Sequence, residues 1–364
     1  MNIAAKLQAG IDNMFFNCIA ANAGESLAII REQGGDDYYS PTLADLIAAH
    51  GRNRGLDVVV VDTPFVEDAS EFPTDISRVM EAVDHTLFLA RIGDQARFTE
   101  LDGAGTKTVC YALDEESFAS AFCSADYRFF VRLKSLVNAA IFGGKRIEIT
   151  CAAGTNLVGI SPRDPGDDNV GDVSVRRFPL SVFRPVPANT FSGRVALSKW
   201  LTQTGSRYYQ PDSILIDGVV IALIEEGRIV DFEGNAREVA KVRAHYDFVA
   251  RKYSIDGDIV HSWHAGIHPQ NGYSGLAVDK LTRWSGSAFG NPRYLHFHSC
   301  GDYAPGEICM SVFDPTITVD GTAMWRDGSF EFADTAEVRG LQAEYPGMRE
   351  LFDLPVLDYG LGEA

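Results

Sequence analysis

Short apolar runs alternate with amphipathic segments over the first 150 residues. The runs are rich in β-branched residues, which is typical of buried parallel strands. They cover residues 26–30, 57–62, 85–90, 108–113 and 146–151. Helical segments lie between them, and proline opens two of these segments while glycine closes two. Repeated strand–helix units predict an open parallel sheet with helices on its faces.

The pattern changes after Cys151. A loop rich in proline, glycine and aspartate at 161–172 marks a boundary region, and the apolar pattern over 213–234 then predicts antiparallel hairpins. A helix is predicted over 235–254, and 315–332 predicts a hairpin that turns at Asp320-Gly321 or Asp327-Gly328. The sequence therefore predicts an α/β fold of two domains. These are a parallel α/β domain over 1–155 and a mainly antiparallel α+β domain over 156–364 that carries the active-site cleft.

Charge and composition exclude several classes of partner. The formal net charge is -18, so the chain has no excess of cations with which to neutralise nucleic-acid phosphates or an anionic membrane surface. No apolar run is long enough to span a bilayer, and the N-terminus lacks the pattern of a signal peptide. The six cysteines contain no CxxC pair, which favours reduced thiols in a cytoplasmic protein.

Five of the eight histidines fall between residues 261 and 298, in two groups separated by a glycine-containing stretch. The five are His261, His264, His268, His296 and His298. Neutral imidazole is the commonest nitrogen ligand of metals, and in a strand His296 and His298 share one face. Two histidines and one carboxylate would form the facial triad of a non-haem Fe(II) site. The alternative is that these histidines are hydrogen-bonded polar side chains that line a cleft.

Four segments of the chain follow one another in an order that resembles a known family. They are 152–160, 225–234, 263–270 and 314–321. Their order and spacing resemble the aminopeptidase T-like metallopeptidases and their relatives, the 2,5-dihydroxypyridine 5,6-dioxygenases. The resemblance implies a metal-dependent active site and a homodimer formed through the C-terminal domain. The apolar residues that the tail would supply to the dimer are Leu341, Tyr345, Leu351 and Phe352.

This chain keeps a family ligand at some positions of the resemblance and has a different residue type at others. The position of His264 is a glutamate ligand in the peptidases and an Fe(II)-binding histidine in the dioxygenases, so His264 places the chain on the dioxygenase side. The family's final H-x-D ligands match 307–309, where this chain has Glu307 and Cys309. Arg194 stands where the peptidases have a glutamate, and an arginine would repel a cation. The region that carries a catalytic histidine in the dioxygenases, 90–94, has none here.

These comparisons define the candidate residues. The predicted metal ligands are His264, His298 and Glu307, holding Fe(II) or another divalent metal, with His296 as the substitute if the strand register shifts by two. The candidate catalytic residues are His264, His296 and Asp302. Trp263 and Tyr303 either stack on an aromatic ligand or pack in the core and rim. The candidates for ligand contact are Trp263, Tyr303, Arg194 and Cys309, the last as a possible soft thiolate ligand.

The sequence is compatible with three functions. The first is a dioxygenase-like enzyme that uses a metal to act on a small hydroxylated N-heteroaromatic or related ring. The second is a metal-free protein that binds a peptide or small molecule in the same cleft, with Arg194 pairing with Glu307 in place of a cation. The third is a metal-dependent aminopeptidase or amide hydrolase, which the missing peptidase carboxylates disfavour.

Overall fold

The computed structural model describes residues 2–34, 38–70, 72–163 and 173–362. Its strands are β1 (Ser26–Gln33), β2 (Asp57–Pro64), β3 (His85–Leu89), β4 (Thr106–Cys110), β5 (Arg146–Thr150), β6 (Asn156–Ile160), β7 (Arg176–Phe178), β8 (Val186–Pro187), β9 (Ser192–Gln203), β10 (Ser213–Glu225), β11 (Arg228–Gly234), β12 (Val260–Ala265), β13 (Tyr294–Ser299), β14 (Ile308–Phe313), β15 (Thr316–Val319) and β16 (Thr322–Trp325).

Most of the α-helices are short. They are α1 (Ile3–Asp12), α2 (Leu43–Asn53), α3 (Thr74–Ala82), α4 (Arg91–Gln95), α5 (Glu115–Phe118), α6 (Ala121–Ser124), α7 (Tyr127–Ile141), α8 (Ala236–Tyr253), α9 (Leu281–Ser285), α10 (Ala336–Glu344) and α11 (Met348–Asp353). A π-helix at Asn13–Ile19 continues α1. Over the described residues, no helix is long and apolar enough to cross a membrane.

Packing separates the chain into two units. One unit is Met1–Val131 with Val173–Leu180, and the other is Arg132–Asp172 with Ser181–Ala364. The chain therefore passes between the units three times, whereas the sequence analysis drew one boundary between residues 155 and 156. Most of the predicted boundary loop, from residue 164 to 172, lies outside the described residues.

The first unit holds a parallel sheet of five strands in the order β2-β1-β3-β4-β7. Its first four strands are those predicted from the apolar runs. One side of the sheet packs on the N-terminal helical segment, where Ile11, Met14 and Phe15 are at most 1% exposed. The side chain of Asn13 donates to the carbonyls of Cys123 and Ala125, both at 2.7 Å. The prediction of a parallel α/β unit is confirmed.

The fifth predicted parallel strand lies elsewhere. β5 pairs antiparallel with β6 and β15 in the second unit, and the fifth strand of the parallel sheet is β7. The burial of β5 alternates along the strand, as in a sheet with one solvated face, whereas β3 is buried throughout. That alternation, and not β-branched content alone, distinguishes the two kinds of strand.

The second unit is built on an eleven-stranded sheet. Nine strands follow the order β16-β15-β5-β6-β9-β14-β13-β12-β8, and β10 joins β9 to β11. The pairings between its strands are antiparallel. β10 is one long strand with an irregularity between Ile216 and Val219. Helix α8 begins after Asn235, whose side chain accepts from the backbone N–H of Arg237.

The predicted hairpin near the C-terminus turns at Asp320-Gly321. Both residues have positive φ, 48° and 84°, which is the geometry that lets a two-residue turn match the twist of its strands. The tail then forms α10 and α11. Leu341 of α10 is 3% exposed within its own chain, so this side chain is not free to contact a second copy. The homodimer stays a prediction.

Candidate metal centre

Three of the clustered histidines lie on one face of the large sheet. β12 and β13 pair antiparallel, with His264 opposite His296 and Ser262 opposite His298. Residues that face each other across a pair of strands point to the same side, and their sequence neighbours point to the other. Trp263 and Phe297 accordingly face each other on the opposite side. The strand pairing therefore brings imidazoles from two strands together.

The three imidazoles are close enough to share one ion. Their ring centroids are 4.4 Å apart for His264 and His296, 5.0 Å for His264 and His298, and 4.9 Å for His296 and His298. One potential ligand atom from each residue lies within 4.8 Å of the others. Nε2 of His264 is 2.8 Å from Nε2 of His296. Two nitrogens bound at right angles to one ion, each ~2.1 Å from it, would be ~3 Å apart, so this separation fits two adjacent ligand positions.

Outer hydrogen bonds orient two of the rings. Nδ1 of His264 lies 3.2 Å from the carbonyl oxygen of Phe183, and Nδ1 of His298 lies 3.0 Å from Oγ of Ser262. A carbonyl only accepts, so Nδ1 of His264 carries the proton and its Nε2 presents a lone pair. Without an ion, the contact between the two Nε2 atoms is then an N–H···N hydrogen bond donated by His296. In metal-binding histidines, the ring nitrogen that does not bind the ion usually makes such an outer hydrogen bond, as Nδ1 does in His264 and His298.

The surroundings of the three rings are apolar and aromatic. His264 and His296 are each 5% exposed, and His298 is 6% exposed. The ring of Tyr294 stacks on His296 with centroids 5.3 Å apart, and Phe183 packs edge-on against His264. An ion in such a site would be largely shielded from water, which strengthens its electrostatic effect on a bound group.

The structure places Glu307 outside this group. Its oxygens accept hydrogen bonds from Nε of Arg207 at 2.8 Å, from Oγ of Ser206 at 3.1 Å, and from the hydroxyl of Tyr303. The side chain of Glu307 is fully buried, and burial raises its pKa against the opposing effect of Tyr303 and Arg207. Over the described residues, the potential metal-binding group consists of the three histidines without Glu307. The guanidinium of Arg207 is therefore the positive charge next to Glu307, where a metal ion was predicted.

The other candidates are dispersed. Arg194 is half-exposed and pairs with Glu233 at 3.3 Å, so it does not pair with Glu307. Asp302 is exposed, and its charge acts on His261, whose pKa is lowered by burial and raised in part by that carboxylate. Trp263 is 0% exposed and packs against Phe183 and Phe191, so of its two predicted roles it has the one in the core.

Two further candidates keep some relation to the site. Cys309 is buried and lies opposite His298 in the pairing of β13 with β14, on the same face, but it is not part of the three-histidine group. The hydroxyl of Tyr303 donates a hydrogen bond to Glu307 and accepts one from Arg207.

Two residues that orient the histidines, and one that pairs with Glu307, were not predicted from the sequence. Ser262 lies two positions before His264 in a strand, so the alternation already placed it on the ligand face. Phe183 contributes a backbone carbonyl, which leaves no signal in residue type. Arg207 lies 100 residues before its partner Glu307, and one sequence contains nothing that joins them.

Comparison with known proteins gives matches at the level of structure. No family model and no curated protein matches this chain. The solved 2,5-dihydroxypyridine dioxygenase from Pseudomonas putida KT2440 is similar with a TM-score of 0.59 at 12% identity, over 93% of this chain and 100% of that chain. Wild-type AmpT from Thermus thermophilus, an aminopeptidase T, is similar with a TM-score of 0.50 at 12% identity, over 90% of this chain and 99% of that chain. The fold implied by the sequence resemblance is therefore confirmed.

Proposed function

We propose that this chain is a metal-dependent enzyme in which His264, His296 and His298 hold one divalent ion. The observation that carries the proposal is the convergence of three buried imidazoles from two paired strands, with nitrogens within 4.8 Å of one another. Neutral imidazole is the commonest nitrogen ligand of metals, and one ion could bind a nitrogen of each of the three rings.

The proposed ion is Fe(II), and the proposed reaction is an oxygenation of a small hydroxylated N-heteroaromatic or related ring. The similarity in fold to a 2,5-dihydroxypyridine dioxygenase supports this choice of chemistry. An all-imidazole set also suits Zn(II), so the donor atoms alone do not select iron. When bound, the ion would supply a Lewis acid with open positions for exogenous oxygen ligands.

The protein's own residues would prepare the site for this chemistry. The carbonyl of Phe183 holds His264 with Nε2 directed inward, and Ser262 holds His298 through Nδ1. For His296 to bind through Nε2, its proton moves to Nδ1, which is a change of tautomer without a change of charge. The aromatic rings around the histidines exclude water, and they supply apolar contacts suited to an aromatic substrate.

A second candidate function is a metal-free binding protein. The 2.8 Å contact between the Nε2 atoms of His264 and His296 favours it, because one N–H···N hydrogen bond satisfies both atoms without an ion. In that case the cleft would hold a peptide or small molecule without turnover.

Metal content separates the two candidates. We expect about one equivalent of metal per chain in protein reconstituted anaerobically with Fe(II), since a single group of ligands is proposed. His264→Ala and His296→Ala should each lose it, while His245→Leu, which removes a buried histidine outside the group, should keep it. Elemental analysis after gel filtration measures this. Absence of metal from wild-type protein, or retention of full metal content by His264→Ala, would reject the proposed site.

Oxygen consumption then tests the reaction. Reconstituted wild-type protein should consume dioxygen with one or more members of a panel of hydroxylated pyridines, and the His264→Ala protein should not. Metal bound at the site without consumption on any ring of the panel would contradict the oxygenase assignment and leave the metal site standing.

The remaining features of the proposal concern partners and location. We propose a small molecule as the ligand, no nucleic acid or membrane as partner, and a homodimer in solution. None of the six cysteines, all of which lie in the described part of the chain, forms a disulfide bond, which suits the reducing cytoplasm proposed for the protein. Light scattering that gives the mass of one chain at micromolar concentration would contradict the dimer.

A further inference from the structure

A cavity lies apart from the histidine group and has no part in the proposed reaction. Its volume is about 500 Å³, within the usual range of small-molecule sites. It is lined by residues that follow β12, precede β13 and follow β14, by the segment after β16, and by residues of the C-terminal tail. None of the three clustered histidines lines it.

The walls of this cavity are fixed by hydrogen bonds. The backbone N–H of Val356 donates to the carbonyl of Pro269 at 2.7 Å, and Nη1 of Arg293 donates to the carbonyl of Leu357 at 2.7 Å. The side chain of Asn291 also donates to the carbonyl of Val356 at 3.1 Å. These contacts hold the tail segment 355–357 in place as one wall. A preformed wall reduces the ordering cost of binding.

Apolar side chains, two of them aromatic, form part of the lining of the cavity. Phe330 and Phe352 lie with their ring centroids 6.4 Å apart and their planes inclined by 39°. Val356 and Ala333 extend this apolar surface. The faces of aromatic rings attract cations as well as apolar groups.

The charges on the lining are unequal. One arginine and three aspartates line the cavity, which leaves a net negative charge of two. Arg293 is held by both oxygens of Asp314, at 2.6 and 2.9 Å, and Asp334 pairs with Arg339. Asp327 accepts a hydrogen bond from the hydroxyl of Thr316 at 3.2 Å. Among the described residues it forms no ion pair within 4 Å, although the charge of the adjacent Arg326 acts on it from farther away. The neighbouring Arg326 is engaged by Glu331 at 2.6 Å.

We propose that this cavity is a binding site for a small organic cation that carries an apolar or aromatic body, with Asp327 as its counter-charge. The two phenylalanines would receive the body, and the exposed carboxylate at the rim would receive the ammonium group. An anionic ligand is disfavoured, because Arg293 is the one basic residue in the described lining and its charge is already paired with the carboxylate of Asp314.

Three matched probes test the chemistry of the site by ligand-observed NMR titration at low ionic strength. Phenethylamine is the cation, 2-phenylethanol is the uncharged analogue, and 3-phenylpropionate is the anion. We expect the amine to bind with a Kd of about 1 mM, which is reasonable for a ligand of this size, and about three- to tenfold tighter than the alcohol. Benzyltrimethylammonium should bind like the amine; because it has no lone pair, it cannot do so by ligating a metal.

Asp327→Asn tests the place of binding. Asp327 has a φ of 46°, which asparagine tolerates well, so the variant should fold while losing the charge. It should reduce the preference for the amine over the alcohol to about one, and raised salt should weaken amine binding in the wild type. Asp247→Asn removes an exposed aspartate on α8 that does not line the cavity and should leave binding unchanged. Phe352→Ala should weaken binding of both amine and alcohol.

Each contrary result bears on the proposal. Equal binding of the three probes, or tighter binding of the anion, would overturn the assignment to cations. Amine binding that is unchanged in both Asp327→Asn and Phe352→Ala would show that the probe binds elsewhere. Absence of any binding up to tens of millimolar would show that the cavity is not a site for this class of ligand.

Discussion

Nε2 of His264 lies 2.8 Å from Nε2 of His296, across the paired strands β12 and β13. From the sequence, the expected partners of His264 were His298, which lies on β13, and Glu307, which immediately precedes β14. In the folded chain β13 supplies both neighbours of His264 in the three-histidine group, with His296 in place of Glu307. The consequences of this replacement can be measured at Glu307, at Ser262 and by removal of the ion.

Glu307→Gln should keep the metal and lose stability. Glu307 is bound to Arg207, so its loss removes no proposed ligand but leaves a partly buried guanidinium without its counter-charge. Breaking a buried pair from one side costs about 3 kcal/mol, and the remaining exposure of Arg207 should reduce that cost. Elemental analysis and urea denaturation measure the two effects on one preparation. Loss of metal with unchanged stability would instead support the ligand set of His264, His298 and Glu307.

Ser262→Ala should weaken metal binding without removing a ligand. Oγ of Ser262 is 3.0 Å from Nδ1 of His298 and 3.0 Å from Nδ1 of His261, so it fixes the orientation of one ligand ring. Loss of such an outer hydrogen bond typically lowers metal affinity about 10–100-fold. A competition titration with a chromophoric chelator measures this.

Ser311→Ala is the matched control for that substitution. Ser311 lies opposite His296 in the pairing of β13 with β14, but its hydroxyl contacts Tyr294 at 2.9 Å. The control should keep an affinity close to that of the wild type. Equal effects of the two substitutions would show that Ser262 has no special part in holding the ligand ring.

The sequence predicted the shared face of one pair of histidines better than it predicted the chemistry around them. Period-two alternation placed His296 and His298 on one face, and this arrangement needed only local geometry. Which strand lies beside β12 is a matter of sheet topology, and strand order cannot be read from alternation. The ion pair of Glu307 with Arg207 likewise depends on contacts between distant parts of the chain. The parallel sheet was predicted except at its edge, because β7 has only three residues and gives almost no pattern.

Removal of the ion should lower the thermal stability of the protein. A ligand bound only by the folded state adds about 2.7 kcal/mol to the free energy of unfolding when its free concentration is 100 times its Kd. Differential scanning calorimetry of protein treated with chelator, with and without added Fe(II) under nitrogen, should show a higher Tm with metal. His264→Ala should show no metal-dependent shift. A shift of equal size in that variant would mean that the ion binds at another place.

His245 gives the chain a built-in sensitivity to acid that is independent of the proposed metal site. The residue lies on α8, is 4% exposed, and packs near the ring of Tyr209, with centroids 6.1 Å apart. Its Nε2 has no hydrogen-bond partner among the described residues. Burial lowers the pKa of His245 from 6.5 to about 4, and the charge of Asp212 only partly opposes this.

The pKa of His245 is lower in the folded state than in the unfolded chain, and this difference sets the direction in which pH changes the free energy of unfolding. As pH falls below 6.5, the unfolded chain takes up the proton first, so the free energy of unfolding decreases until the folded state is also protonated near pH 4. The loss is at most about 3 kcal/mol, since each pKa unit is worth about 1.4 kcal/mol. His245→Leu cannot take up this proton. Its free energy of unfolding should therefore decline less steeply than that of the wild type between pH 6.5 and 4.5, as measured by urea denaturation at several pH values. Parallel declines in the two proteins would show that His245 is protonated as easily in the folded state as in the unfolded chain.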